Sequence, residues 1–123
     1  MARILIIDDE EAVRLTLRQI LQHAGYDVVE AENGAVGLAR MREKSADLVI
    51  TDIIMPEMEG VETVTAMRKE FPAVKLIAMS GGGRTGNFNF LGAALKLGAA
   101  KVLQKPFNRV ALLDAVRECL APA

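Results

Sequence analysis

Ile4-Leu5-Ile6-Ile7-Asp8-Asp9-Glu10 decides the fold: four consecutive apolar residues, with no in-out alternation, break off into three acids. A run this short and continuous reads as a strand buried on both faces. It requires helices on both sides of its sheet, and therefore parallel strands joined by right-handed crossovers. The pattern recurs: Leu48-Val49-Ile50-Thr51 ends in Asp52, Leu76-Ile77-Ala78-Met79 ends in Ser80, and a further run ends at Lys105. In one parallel sheet the carboxyl ends of these strands share one edge, which is where ligands bind in open α/β folds. The expected product is a single acidic pocket with one hydroxyl and one ammonium.

Helical stripes separate the runs. Val13, Leu17, Ile20, Leu21 and Ala24 recur at helix spacing, with Arg14, Arg18 and Gln22 on the other side and Gly25 as the C′ residue. A short strand follows at Val28-Val29. Asn33-Gly34 turns into a second helix through Val36, Leu38 and Met41, and Val61 to Phe71 makes a third, stopped at Pro72. A fourth helix ends at Gly98, and a fifth, with Asn108 as N-cap, carries Val110, Leu113 and Val116. The alternation predicts an α/β chain, doubly wound as (βα)5.

With 123 residues, 51% of them hydrophobic, the chain supports one well-buried core and is too short for two ordinary domains. Residues 1–120 are expected to form one domain, with 121–123 a frayed tail or linker stump. A secretory h-region and a span of about 20 apolar residues are both missing, which suggests a cytoplasmic protein without a membrane role. Cys119 is the only cysteine and reads as a buried thiol. Residues 1–70 hold fourteen of the sixteen acids, whereas Phe71 to Leu113 carries none beside Lys75, Arg84, Lys96, Lys101, Lys105 and Arg109. Charges so scattered favour a solvated face over an anion-binding one, and nucleic acid is not implied. His23 reads as an exposed residue favoured by the helix dipole.

The acids invite two readings. Asp8-x-x-Glu11 resembles a capping box, and one cap explains one aspartate. Two adjacent carboxylates facing Asp52 are a different matter, because like charges at ~4 Å repel by about 4 kcal/mol at an effective dielectric near 20. A hard divalent cation offsets that repulsion, and oxygen-only ligands suit magnesium. Phosphoryl transfer then becomes the natural chemistry, with Lys105 supplying charge, Ser80 a hydroxyl and Gly81 a closely approaching amide.

As a set, Asp8-Asp9-Glu10 after the first strand, Asp52 with Met55-Pro56-x-Met58-x-Gly60 after the third, Ser80 after the fourth and Lys105-Pro106-Phe107 after the fifth resemble the receiver domain of two-component response regulators, over essentially the entire chain. The resemblance implies a flavodoxin-like five-stranded parallel sheet in the order 2-1-3-4-5. It makes Asp52 the phosphoacceptor for a sensor histidine kinase, a phosphotransfer protein or a small acyl-phosphate donor. Asp9, Asp52 and the backbone carbonyl of Ile54 would ligate magnesium or, in its place, manganese, with Asp8 holding it mainly through water. Lys105 would pair with a phosphoryl oxygen, Ser80 and Gly81 would bind others, and the Lys105-Pro106 peptide would be cis. The chain would act only on itself and would not be an enzyme toward other substrates. Output would pass through the fourth helix, fifth strand and fifth helix to a downstream protein or fused output domain, or to a phosphorylation-dependent dimer.

Three positions depart from the family pattern. Val102 stands where an aromatic switch residue is usual, and the connection Gly81-Gly82-Gly83-Arg84-Thr85-Gly86 is long and glycine-rich. That loop is expected to replace the aromatic as the moving part, with Phe88 or Phe90 as its reporter. Ile54 places an apolar side chain beside the pocket and is expected to slow hydrolysis of the acyl phosphate.

Rival readings fit less well. The Gly81–Gly86 match to G-x-G-x-x-G lacks the acid about 20 residues on that a ribose needs, and a P-loop would need lysine at Asn87. An aspartate-based phosphatase would have an aspartate-x-aspartate pair at the first strand. A pseudo-receiver that binds partners without phosphorylation is kept open by Val102.

Overall fold

The computed structural model describes residues 2–52, 59–80, 98–104 and 108–121. Five strands, β1 (Arg3–Ile7), β2 (Asp27–Ala31), β3 (Leu48–Asp52), β4 (Lys75–Ser80) and β5 (Lys101–Gln104), form one sheet. Their order is β2-β1-β3-β4-β5, with every pairing parallel. The described helices are α1 (Glu11–His23), α2 (Gly34–Glu43), α3 (Glu59–Glu70) and a C-terminal helix (Arg109–Leu120). The doubly wound architecture and the strand order are those expected.

Burial on both faces explains the unbroken apolar runs. Ile4, Leu5, Ile6 and Ile7 are each 0% exposed. Ile4 and Ile6 pack with Leu17 and Leu21 of α1 and Leu112 and Val116 of the C-terminal helix. Leu5 and Ile7 pack with Met41 of α2 and Val64 and Met67 of α3. Each such side chain stabilises the fold by about 1.5–3 kcal/mol relative to exposure, so one polar residue in the run would open one layer.

Local signals set the helix ends. Gly25 has φ of 99° after α1; its amide donates to the Gln22 carbonyl, and the Tyr26 amide to that of Leu21, which closes a Schellman turn. Asn33 accepts from the Val36 amide at 2.8 Å and Asn108 from the Ala111 amide at 2.7 Å, each cap contributing about 1 kcal/mol. Gly98, read as a helix stop, has φ of 110°; the helix expected before it lies outside the described residues.

Gly34 differs from its reading as a turn residue. It is the first residue of α2, buried, and its missing Cβ leaves room for Thr63 of α3. Observed strand bounds also extend past the apolar runs, most clearly in β2, because backbone pairing continues where side chains become polar.

His23 is exposed in the last turn of α1, and Lys101 of the basic stretch pairs with Glu118 at 2.6 Å. Among the described residues no helix is long and apolar enough to cross a membrane. Cys119 is buried at 6% exposure, and burial pushes its thiol up from the ordinary range. Both effects withhold the thiolate, so Cys119 should react with a disulfide reagent at neutral pH at least about 100-fold more slowly in the native protein than in denaturant. Equal labelling rates would place it at the surface.

Candidate functional site

Strand register builds the site. Ile7 of β1 pairs with Thr51 of β3, so Asp8, just past the end of β1, and Asp52, the last residue of β3, follow side by side at the carboxyl edge. Asp52 pairs with Met79 of β4, and the next β4 residue, Ser80, pairs with Gln104 of β5. The carboxyl edge therefore carries positions 8, 52 and 80 on three adjacent strands.

Asp8 is 0% exposed and Asp52 4%, whereas Asp9 and Glu10 face solvent. One carboxylate oxygen from each of these four residues lies within 4.8 Å of all the others. At that spacing two ionised carboxylates repel by about 3 kcal/mol at an effective dielectric near 20. The donor set is oxygen only, partly shielded and partly open to water, which fits a hard divalent cation that keeps some of its own waters.

Backbone contacts hold the cluster. The Asp8 amide donates to the Ala31 carbonyl at the end of β2 at 3.2 Å, and Asp8 Oδ1 accepts from the Glu10 amide at 2.8 Å. Arg14 Nη1 donates to the Asp8 carbonyl at 2.6 Å. The capping-box reading of Asp8 and Glu11 is not realised: Glu10 is the N-cap of α1 and makes no side-chain cap bond. Asp8 is anchored at the strand end, and its carboxylate turns to the amide two residues on.

The structure thus brings Asp8, Asp9 and Asp52 together and adds Glu10, whose signal was the third acid in a row. Arg14 was missed altogether. Helical periodicity points it away from the core, yet its side chain is only 16% exposed and pairs with Glu30 of β2. Val102 lies in β5 opposite Ala78, half-buried against the layer beneath α2 and α3. Ser80 is described as a strand position only. Ile54, Gly81, the Lys105-Pro106 peptide and the loop with Phe88 and Phe90 lie outside the described residues.

Parallel order, register and an acid-lined carboxyl edge define a receiver domain, and the chain belongs to that family: residues 4–117 match the response regulator receiver domain. It is 35% identical over 119 residues to chemotaxis protein CheY of Bacillus subtilis (strain 168), covering 96% of this chain and 97% of that one. A solved CheY-like receiver domain from Methanospirillum hungatei JF-1 superposes with a TM-score of 0.87 at 33% identity, over 96% of this chain and 92% of that one. Response regulator TrrA from Thermotoga maritima, solved in complex with Mg(2+)-BeF, gives 0.84 at 32% identity, over 98% and 100%.

Proposed function

We propose that this receiver domain accepts a phosphoryl group on Asp52 in a magnesium-dependent reaction and thereby switches a partner-binding surface. The observation that carries the reading is the meeting of buried Asp52 with Asp8, Asp9 and Glu10 at one sheet edge. A relative of similar length, TrrA, binds magnesium with a beryllofluoride group, which supports the same chemistry here. Magnesium, or manganese in its place, would supply positive charge for the transferring oxygens when bound by Asp9, Asp52 and the Ile54 carbonyl, with Asp8 acting through water.

The chain's own residues do the rest. An Asp52 carboxylate oxygen attacks phosphorus while the bond to the donor, a phosphohistidine nitrogen or an acyl-phosphate oxygen, breaks and the donor keeps the electron pair. Burial keeps bulk water from the acceptor. Lys105, Ser80 and Gly81 are assigned to the phosphoryl oxygens. The new charge of about −1.5 to −2 then biases the surface formed by the predicted fourth helix, β5 and the C-terminal helix toward one state. Partners are a sensor histidine kinase or phosphotransfer protein upstream, and a target protein, an output domain or a second copy downstream. The reaction is on the protein itself, and turnover of added phosphoesters is not expected.

Incubation with magnesium and acetyl phosphate should add the mass of one phosphoryl group, stable in acid and labile in base. Chelation of the cation should prevent the gain, and Asp52→Asn should abolish it. No gain in the wild-type chain would favour a pseudo-receiver, the reading that Val102 keeps open. A gain that persists in Asp52→Asn would place the acceptor elsewhere.

A further inference from the structure

We infer that Arg14, locked by Glu30, is a positioning residue for the cation and phosphoryl site. It fixes the Asp8–Asp9 peptide and through it the aim of Asp9. The inference rests on the reading of Asp8, Asp9 and Asp52 as that site.

Asp9 is exposed, and among the described residues no side chain holds its carboxylate. Among the described residues, what sets its direction is its backbone. The peptide that leads into Asp9 begins at the Asp8 carbonyl, which accepts from Arg14 Nη1 at 2.6 Å. The other end of Asp8 is tied to β2, its amide donating to the Ala31 carbonyl at 3.2 Å. Rotating the Asp8–Asp9 peptide would swing the Asp9 side chain away from Asp52; the Glu10 amide, held by Asp8 Oδ1 at 2.8 Å, resists that rotation from one side and the guanidinium, on the Asp8 carbonyl itself, from the other. The guanidinium is itself held: Arg14 Nε sits 3.3 Å from Glu30 Oε1, and the other oxygen of Glu30 accepts from Arg18 Nη1 at 2.7 Å. One directed hydrogen bond to the Asp8 carbonyl and one ion pair to Glu30 come from two different nitrogens of the guanidinium, so its planar shape matters as well as its charge.

Charge and positioning predict opposite signs, which makes the inference testable. As a bare cation beside the site, Arg14 would weaken binding of another cation, and its removal would tighten it. As a positioning residue, its removal loosens Asp9 and weakens binding, as loss of an outer-shell partner does by about 10–100-fold.

The experiment is magnesium titration by isothermal calorimetry, together with amide chemical shifts at Asp9 and Asp52, on the full chain. Arg14→Gln should weaken magnesium by about tenfold, and Arg14→Lys should also weaken it, because the charge remains but the fork is lost. Unchanged or tighter binding in Arg14→Gln would overturn the inference, as would full affinity in Arg14→Lys. A lower melting temperature with unchanged affinity would mark Arg14 as merely structural and would overturn it equally. If Arg14→Gln does not fold, Glu30→Gln carries the test: weakened magnesium with a shifted Asp9 amide supports the lock, whereas unaltered affinity, or weakening with an unshifted Asp9 amide as loss of charge alone would give, refutes it. Failure of the underlying reading looks different. The wild-type chain would then not bind magnesium, or Asp52→Asn would bind it equally well, and this inference would fall with the site.

Discussion

Asp52→Asn is expected to melt about 5 °C above the wild-type chain in the absence of divalent cations, a gain of about 1–2 kcal/mol. The substitution preserves shape and removes one charge from a cluster in which four carboxylates converge within 4.8 Å, two of them buried. Repulsion between neighbours there is about 3 kcal/mol per ionised pair, of which loss of hydrogen bonds to the carboxylate returns a part. Magnesium should reverse the order of stability. At one hundred times its Kd a ligand stabilises the state it binds by about 2.7 kcal/mol, a gain that Asp52→Asn should largely forgo. Thermal melts in chelator and in excess magnesium decide the matter. A variant less stable than wild type in chelator would show that the cluster is not electrostatically strained.

Gly34→Val is expected to cost about 3 kcal/mol or to prevent folding. A Cβ at this position would run into Thr63 Oγ1 and stand 3.0 Å from Thr63 Cβ, and Thr63 is itself only 4% exposed. Relief would require α2 to move off α3, which opens the layer that also holds Met41, Val64 and Met67. Gly25→Ala provides the contrast. Nothing lies within 4 Å of a Cβ there, so its cost is the left-handed backbone alone, about 1 kcal/mol. Urea unfolding of both variants measures the difference, and a Gly34→Val midpoint near that of wild type would contradict the close approach.

Much of the architecture was legible because its signals are local. Ile4 to Ile7 had to be covered on both sides, and that single fact implied helices on two faces and parallel pairing. Asn108 and Gly25 act within a few residues of where they stand, so their readings as cap and C′ residue needed no knowledge of the remainder of the chain. The convergence of Asp8, Asp9 and Asp52 followed from parallel strands ending at one edge. Where two local readings competed, periodicity did not choose. The capping box at Asp8 and Glu11 had good spacing, yet burial of Asp8 at the strand end sends its carboxylate to the Glu10 amide instead.

The amino-acid sequence by itself determined which segments are strands and helices, that the sheet is parallel, and that its carboxyl edge is acidic. Only the tertiary structure decided that Arg14 turns back to the Asp8 carbonyl and Glu30, that Glu10 joins the acid cluster, and that Gly34 gives way to Thr63. The physical reason is range. Periodicity and capping record what a residue needs from neighbours along the chain, whereas these contacts join elements whose mutual distance and rotation are set by how their side chains fill the space between them.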